Sequence, residues 1–182
     1  MARKYALLVI DMQHRFRGMA ESMGIIPRVV KLVKHCHEMG VPVVFTQHHD
    51  VRGSGSKVLE WWNDPIIKGS EDWELLPEMK EVLDPEKDIR IQEKTKYDSF
   101  FKTELEEELR SLGVNAVVVV GAMTNLCCET TARSAFCRDF DVVFLEDGNA
   151  TMDAKYHEAT LLNLGVGFAK IMTAAECENI FQ

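Results

Sequence analysis

No stretch of this sequence has the basic start, apolar middle and small-residue cleavage site of a secretory leader. No apolar run approaches the ~20 residues that a helix needs to cross a bilayer. These absences lead to the expectation of a cytoplasmic protein without a membrane partner. Positive charge is scarce as well, with 21 Lys and Arg against 29 Asp and Glu and a formal net charge of −8. The acids are spread over helical stretches such as Glu104, Glu106, Glu107 and Glu108 and form no tail, which argues against nucleic acid or anionic lipid as a partner. There is no Cys-x-x-Cys pair, and the five cysteines are an odd number scattered along the chain. That pattern fits reduced thiols better than a disulfide framework or a zinc ribbon. Internal repeats and low-complexity tracts are also missing.

What is present is enough apolar material for one core: 46% of 182 residues. Residues 1–182 read as a single domain. Apolar, β-branched runs recur at Tyr5–Ile10, Pro42–Thr46, Ile89–Gln92, Asn115–Val120, Val142–Leu145 and Phe168–Met172, and they predict six short buried strands. Between them Ile26, Val29, Val33, Cys36 and Met39 share one helical face, with Pro27 suited to the first turn and Gly40 to the end. Further helices are predicted at Lys102–Leu112, Cys127–Arg138 and Ala154–Leu164, and from Ala174 onward. Strands alternating with helices imply an α/β fold, a three-layer α/β/α sandwich around a mostly parallel six-stranded sheet. The stretch from Gln47 to Asp88 breaks that rhythm with Gly53, Gly55, Pro65, Gly69, Pro77 and Pro85. Its Trp61, Trp62 and Trp73 either cap a pocket, meet another subunit, or pin the excursion to its own domain.

Ligands of open α/β sheets bind beyond the carboxyl ends of the strands. Three reactive residues fall there: Asp11 after the first strand, Lys94 after the third, and Cys127 where the fourth strand gives way to a helix. A cysteine at a helix N-terminus beside a lysine has its thiolate stabilised, and a neighbouring carboxylate can take and return a proton. The blander readings are a turn-capping aspartate, a solvated lysine and a small buried filler. Position alone leaves the two accounts level.

The motifs around these residues weigh further. Leu7-Leu8-Val9-Ile10-Asp11-Met12-Gln13, Lys94-Thr95-Lys96-Tyr97-Asp98-Ser99-Phe100-Phe101 and Gly121-Ala122-Met123-Thr124-Asn125-Leu126-Cys127-Cys128-Glu129-Thr130-Thr131-Ala132 stand in this order. They resemble the opening strand, the Lys-x-x-Tyr-x-x-Phe block and the Gly-x-x-Thr-Asn-x-Cys-Val-x-x-Thr-Ala turn of the isochorismatase-like cysteine hydrolases. The resemblance implies that hydrolase fold, a catalytic triad of Asp11, Lys94 and Cys127, and a cis peptide between Ala122 and Met123. It also implies an oxyanion hole from the Met123 and Cys127 N–H groups, and a dimer or tetramer. Cys128 occupies a position that the family usually fills with valine and is assigned to the core. Cys36, Cys137 and Cys177 are structural by default, and His157, mid-helix, is set aside as a partner of Cys127. Pocket walls are expected from Phe16, Gln47, His48, Tyr97, Phe100 and Ala122, and more loosely from Trp61 and Trp62.

Relatives that hydrolyse nicotinamide hold a divalent metal through an Asp-x-His pair and a further histidine. The matching stretch here is Thr46-Gln47-His48-His49-Asp50, with acid and imidazole exchanged, and Pro65 or Ile66 stands at the third position. Two ligands are too few for zinc unless His49 or Asp64 contributes. The expectation is therefore that no cofactor is required, with a metal near His48 and Asp50 as the lesser reading. The preferred function is a small-molecule amidohydrolase of the N-carbamoylsarcosine amidase branch, working through a thioester. The alternatives are nicotinamidase, an isochorismatase-type hydrolase, against which Cys127 counts, and a non-catalytic interaction domain, against which the intact triad counts.

Overall fold

A computed structural model describes residues 2–181. Its strands are β1 (Tyr5–Ile10), β2 (Val43–His48), β3 (Ile89–Lys94), β4 (Ala116–Ala122), β5 (Asp141–Ala150) and β6 (Lys170–Met172). They form one parallel sheet in the order β3-β2-β1-β4-β5-β6. The helices are α1 (Arg17–Ser22), α2 (Ile25–Met39), α3 (Lys57–Trp62), α4 (Pro77–Val82), α5 (Leu105–Ser111), α6 (Glu129–Phe136), α7 (Ala154–Gly167) and α8 (Ala174–Glu178). None of them is long and apolar enough to cross a membrane.

The sheet is buried on both faces, so its strands read as continuous apolar runs. Within β1 the faces still alternate. Leu7 and Val9 pack with α2, α4 and α8 through Leu32, Val33, Met79 and Cys177, whereas Ala6, Leu8 and Ile10 pack with α5, α6 and α7 through Leu109, Ala132 and Leu164. The chain runs outward from β1 to β3, then crosses to β4 and runs outward the other way. The switch between β1 and β4 opens a crevice at their carboxyl ends.

Gly121 lets those two strands close up. It has φ 129°, and a Cβ there would lie 2.0 Å from the Ile10 carbonyl oxygen, so no other residue fits without moving β1.

Several boundaries differ from expectation for local reasons. Lys102 has φ 55°, outside the helical region, so α5 starts at Leu105. The Phe168 and Ala169 N–H groups cap α7 on the Leu164 carbonyl and are not free to begin β6. α7 runs on through Gly165, whose missing side chain leaves room for Ile171. The helix predicted from Cys127 begins at Glu129, after a single π-helical turn over Thr124–Cys128.

The 47–88 excursion folds back on the segment after β1. Leu76 N–H bonds Met12 O, His14 N–H bonds Glu74 O, and the Gln13 amide donates to His48 O and Trp73 O while accepting from His48 N–H. The three tryptophans divide accordingly. Trp73 is buried under the excursion, Trp61 is 80% exposed, and Trp62 donates its indole N–H to the Tyr97 hydroxyl at 2.8 Å.

Candidate active site

Asp11, Lys94 and Cys127 meet at the crevice. Asp11 leaves β1 with φ 47°, a left-handed turn that swings its carboxylate under the strand ends. Lys94, two strands away at the end of β3, reaches across β2 so that Nζ lies 2.5 Å from Asp11 Oδ2. Both side chains are fully buried. The other carboxylate oxygen accepts from the Thr46 hydroxyl at 2.5 Å, and that hydroxyl accepts in turn from Asp11 N–H at 3.1 Å. Thr46 was not singled out from the sequence. It sits inside a strand pattern, and only the sheet order places β2 beside β1.

The electrostatics correct one expectation. Burial works against the charge on Lys94, but the Asp11 carboxylate and Cys127 reverse that and hold it well above the ordinary lysine value. Burial pushes the Cys127 thiol up to about 12; Lys94 pulls it down, and the charge and hydrogen bond of Asp11 push it up again. The resting cluster is thus a neutral thiol beside an Asp11–Lys94 ion pair. The lowered pKa expected from a helix terminus and a lysine does not arise, because desolvation outweighs both. Cys128 is fully buried, and burial raises its thiol well above the ordinary value, as suits a core residue; Cys137 is the exposed thiol among the five cysteines.

The turn that carries Cys127 begins with a cis peptide between Ala122 and Met123, as the family resemblance implies. The Met123 carbonyl accepts from both Leu126 N–H and Cys128 N–H at 3.1 Å. Met123 and Cys127 both border a cavity of ≈ 210 Å³, whose other walls are Arg15, Phe16, Met19, His48, Asp50, Val58, Trp62, Asp64, Ile66, Tyr97, Leu126 and Met152. Of the predicted walls, Phe16, His48, Tyr97 and Trp62 are in place. Gln47 is not, because it faces Trp73 O, Arg90 and Gln92. Phe100 stacks at 5.9 Å on Phe140 in the core, Ala122 is buried within β4, and Trp61 points to solvent. Arg15, Met19, Val58, Ile66, Leu126 and Met152 were missed, since they come from separate stretches of the chain that only the folded structure brings to one cavity.

Arg15 is already occupied, ion-paired to Asp64 and, at 3.2 Å, to Asp72. His48 Nε2 lies 3.4 Å from Asp50 Oδ1. Burial opposes the Asp50 charge, but the nearby His48 ring, the bond from Ile66 N–H and the histidine charges hold its carboxyl below the ordinary range. His49 turns instead toward Glu93, 3.5 Å away, and Asp64 toward Arg15. No group of three His, Cys, Asp or Glu side chains able to hold a metal occurs among the described residues. His48 Nδ1, His49 Nε2 and Asp50 Oδ1 are nonetheless buried without a hydrogen-bond partner, so the donors of this stretch are unsatisfied but do not converge as the three protein ligands that a catalytic zinc takes.

Sheet order, strand-end cluster and cysteine-bearing turn together make a three-layer α/β fold with a candidate site at the β1/β4 switch. Residues 5–176 match the model of the Isochorismatase domain. Nicotinamidase 3 of Arabidopsis thaliana is 43% identical over 96% of this chain and 86% of its own length. A cysteine hydrolase from Pseudomonas syringae pv. phaseolicola superposes with a TM-score of 0.87 at 25% identity, covering 98% of this chain and 92% of that one. The pyrazinamidase of Pyrococcus horikoshii, solved in complex with zinc, superposes with a TM-score of 0.79 at 27% identity over 93% and 99%. The chain belongs to the isochorismatase family of hydrolases.

Proposed function

We propose that this chain is a cysteine amidohydrolase that releases ammonia from a small, uncharged aromatic carboxamide of the nicotinamide kind. The observation that carries this reading is the character of the cavity. Phe16, Trp62 and Tyr97 suit a flat ring, and its arginine is neutralised by Asp64 and Asp72. An N-carbamoyl amino acid or a ureido acid brings a carboxylate, which would enter beside Asp50 and Asp64 with no free guanidinium to meet it. This charge balance, with the 43% identity to a nicotinamidase, favours the nicotinamide reading over the N-carbamoylsarcosine reading preferred from the sequence.

In this reading Cys127 Sγ attacks the amide carbon while its proton passes to Asp11, so that a thiolate never has to persist in the buried site. The oxyanion is held by the Met123 and Cys127 N–H groups. Asp11 returns the proton to the departing nitrogen, ammonia leaves, and a thioester remains. Asp11 then takes a proton from water as that water attacks the thioester, and the acid and the thiol are released. Lys94 pairs with the Asp11 carboxylate and balances the negative charge that develops at sulfur.

The test is an ammonia-release assay over nicotinamide, N-carbamoyl amino acids, ureido acids and simple aliphatic amides. Turnover of nicotinamide is expected, falling by about a thousandfold or more in Cys127→Ala. Turnover confined to the carboxylate-bearing compounds, or an active Cys127→Ala, would overturn the reading.

A further inference from the structure

His157 makes its hydrogen bonds away from Cys127, yet it holds the turn that carries it. Its Nε2 lies 2.8 Å from the Glu146 carbonyl oxygen and its Nδ1 3.0 Å from Thr124 Oγ1. A carbonyl can only accept, so Nε2 bears the hydrogen, and the second ring nitrogen, Nδ1, is left to pair with the Thr124 hydroxyl. The Glu146 carbonyl is available because the β4–β5 register jumps there, with Val119 facing Phe144 but Gly121 facing Asn149. Thr124 is fully buried and opens the π-helical turn Thr124–Cys128.

Single π-helical turns are rare, poorly self-supporting and concentrated at functional sites. Two more bonds tie this region to the same side of the molecule. Thr151 Oγ1 donates to Asn125 Oδ1 at 2.6 Å, and Thr160 Oγ1 donates to Glu129 Oε2 at 2.7 Å. His157, Thr151 just after β5 and Thr160 on α7 therefore hold Thr124 and Asn125 of the turn and Glu129 at the start of α6, and His157 is the grip nearest the start of the turn.

We propose that His157 is a positioning residue for the nucleophile turn, clamping Thr124 to the β5 bulge so that Cys127 and the Met123 N–H keep their mutual placement. The proposal rests on Cys127 being the nucleophile. It is independent of which amide is cleaved.

Four variants in a Cys137→Ala background test it: His157→Leu, Thr124→Val, the two combined, and His157→Gln. The glutamine amide offers one acceptor and one donor at about the separation of the ring nitrogens. Two readouts are taken on each variant: kcat and KM for nicotinamide, and the rate of Cys127 alkylation by a small reagent at pH 9, located by mass spectrometry. His157→Leu and Thr124→Val should each lower kcat by about tenfold to hundredfold with KM nearly unchanged, and slow the alkylation. The combined variant should be no worse than the worse single one, because both remove the same link. His157→Gln should recover most of the loss. Thr124→Val is nearly isosteric and tests the link where His157→Leu does not fold. Folded variants with unchanged kcat and alkylation rate, or losses that follow melting temperature without rescue by glutamine, would overturn the clamp. Since alkylation needs no substrate, the clamp is judged separately from the amidase reading, which fails if Cys127→Ala still turns over nicotinamide.

Discussion

Two ion pairs of nearly equal length lie at opposite ends of the sheet. At the carboxyl end Lys94 Nζ and Asp11 Oδ2 are 2.5 Å apart and both side chains are fully buried. At the amino end Arg3 Nε and Asp141 Oδ2 are 2.6 Å apart, with both side chains more than half exposed. The exposed pair borders a depression of ≈ 330 Å³, larger than the ≈ 210 Å³ cavity at Cys127. Neither distance nor volume distinguishes a chemical site from a surface feature here; desolvation does. In water each charge is already solvated and the pair gains little. Away from water each charge depends on its partner, and a neighbouring thiol senses both.

Removing a cation from each end separates the two pairs. Lys94→Met should leave Asp11 buried without its partner, abolish amide turnover and cost about 3–5 kcal/mol in a urea titration. A cost below about 1 kcal/mol would mean that water reaches the buried pair as freely as the surface one.

A smaller effect sharpens the buried end. With the Cys127 thiol at about 12, the thiolate fraction is minute at neutral pH and grows with every step upward. Its alkylation should therefore quicken about tenfold per pH unit through pH 9. At pH 7 the exposed Cys137 should be labelled first. A Cys127 rate that levels off near neutral pH would show that Lys94 and the turn outweigh burial after all. The smallest effect is expected at the other end, where Arg3→Ala should leave both the melting temperature and turnover unchanged, since neither group there relies on the pair for solvation. A clear loss in either would give the amino-end depression a role.

Much of the frame was legible in the residues. Six apolar runs became six strands, and the glycine at position 40 ended α2 because it takes the left-handed conformation at φ 68°. The pocket was less legible. Gln47 and His48 are neighbours on one strand, yet opposite pleats send one to Trp73 and Arg90 and the other to the cavity. Trp61 and Trp62 are neighbours on one helix, and only Trp62 finds a partner, the Tyr97 hydroxyl. His157 looked like an ordinary helical residue, since nothing local announces the β5 bulge whose carbonyl it meets.

Strand period, helix period and chain punctuation are local properties, and they sufficed for the parallel α/β class and for placing Asp11, Lys94 and Cys127 at strand ends. Folding was needed to make Thr46 and Lys94 share the Asp11 carboxylate, to raise the Cys127 thiol by burial, and to bring Arg15 to the cavity already paired. Those are matters of dielectric and of neighbours tens of residues away in the chain. A charge takes its energy from the atoms packed around it, and only the folded sheet brings those atoms together.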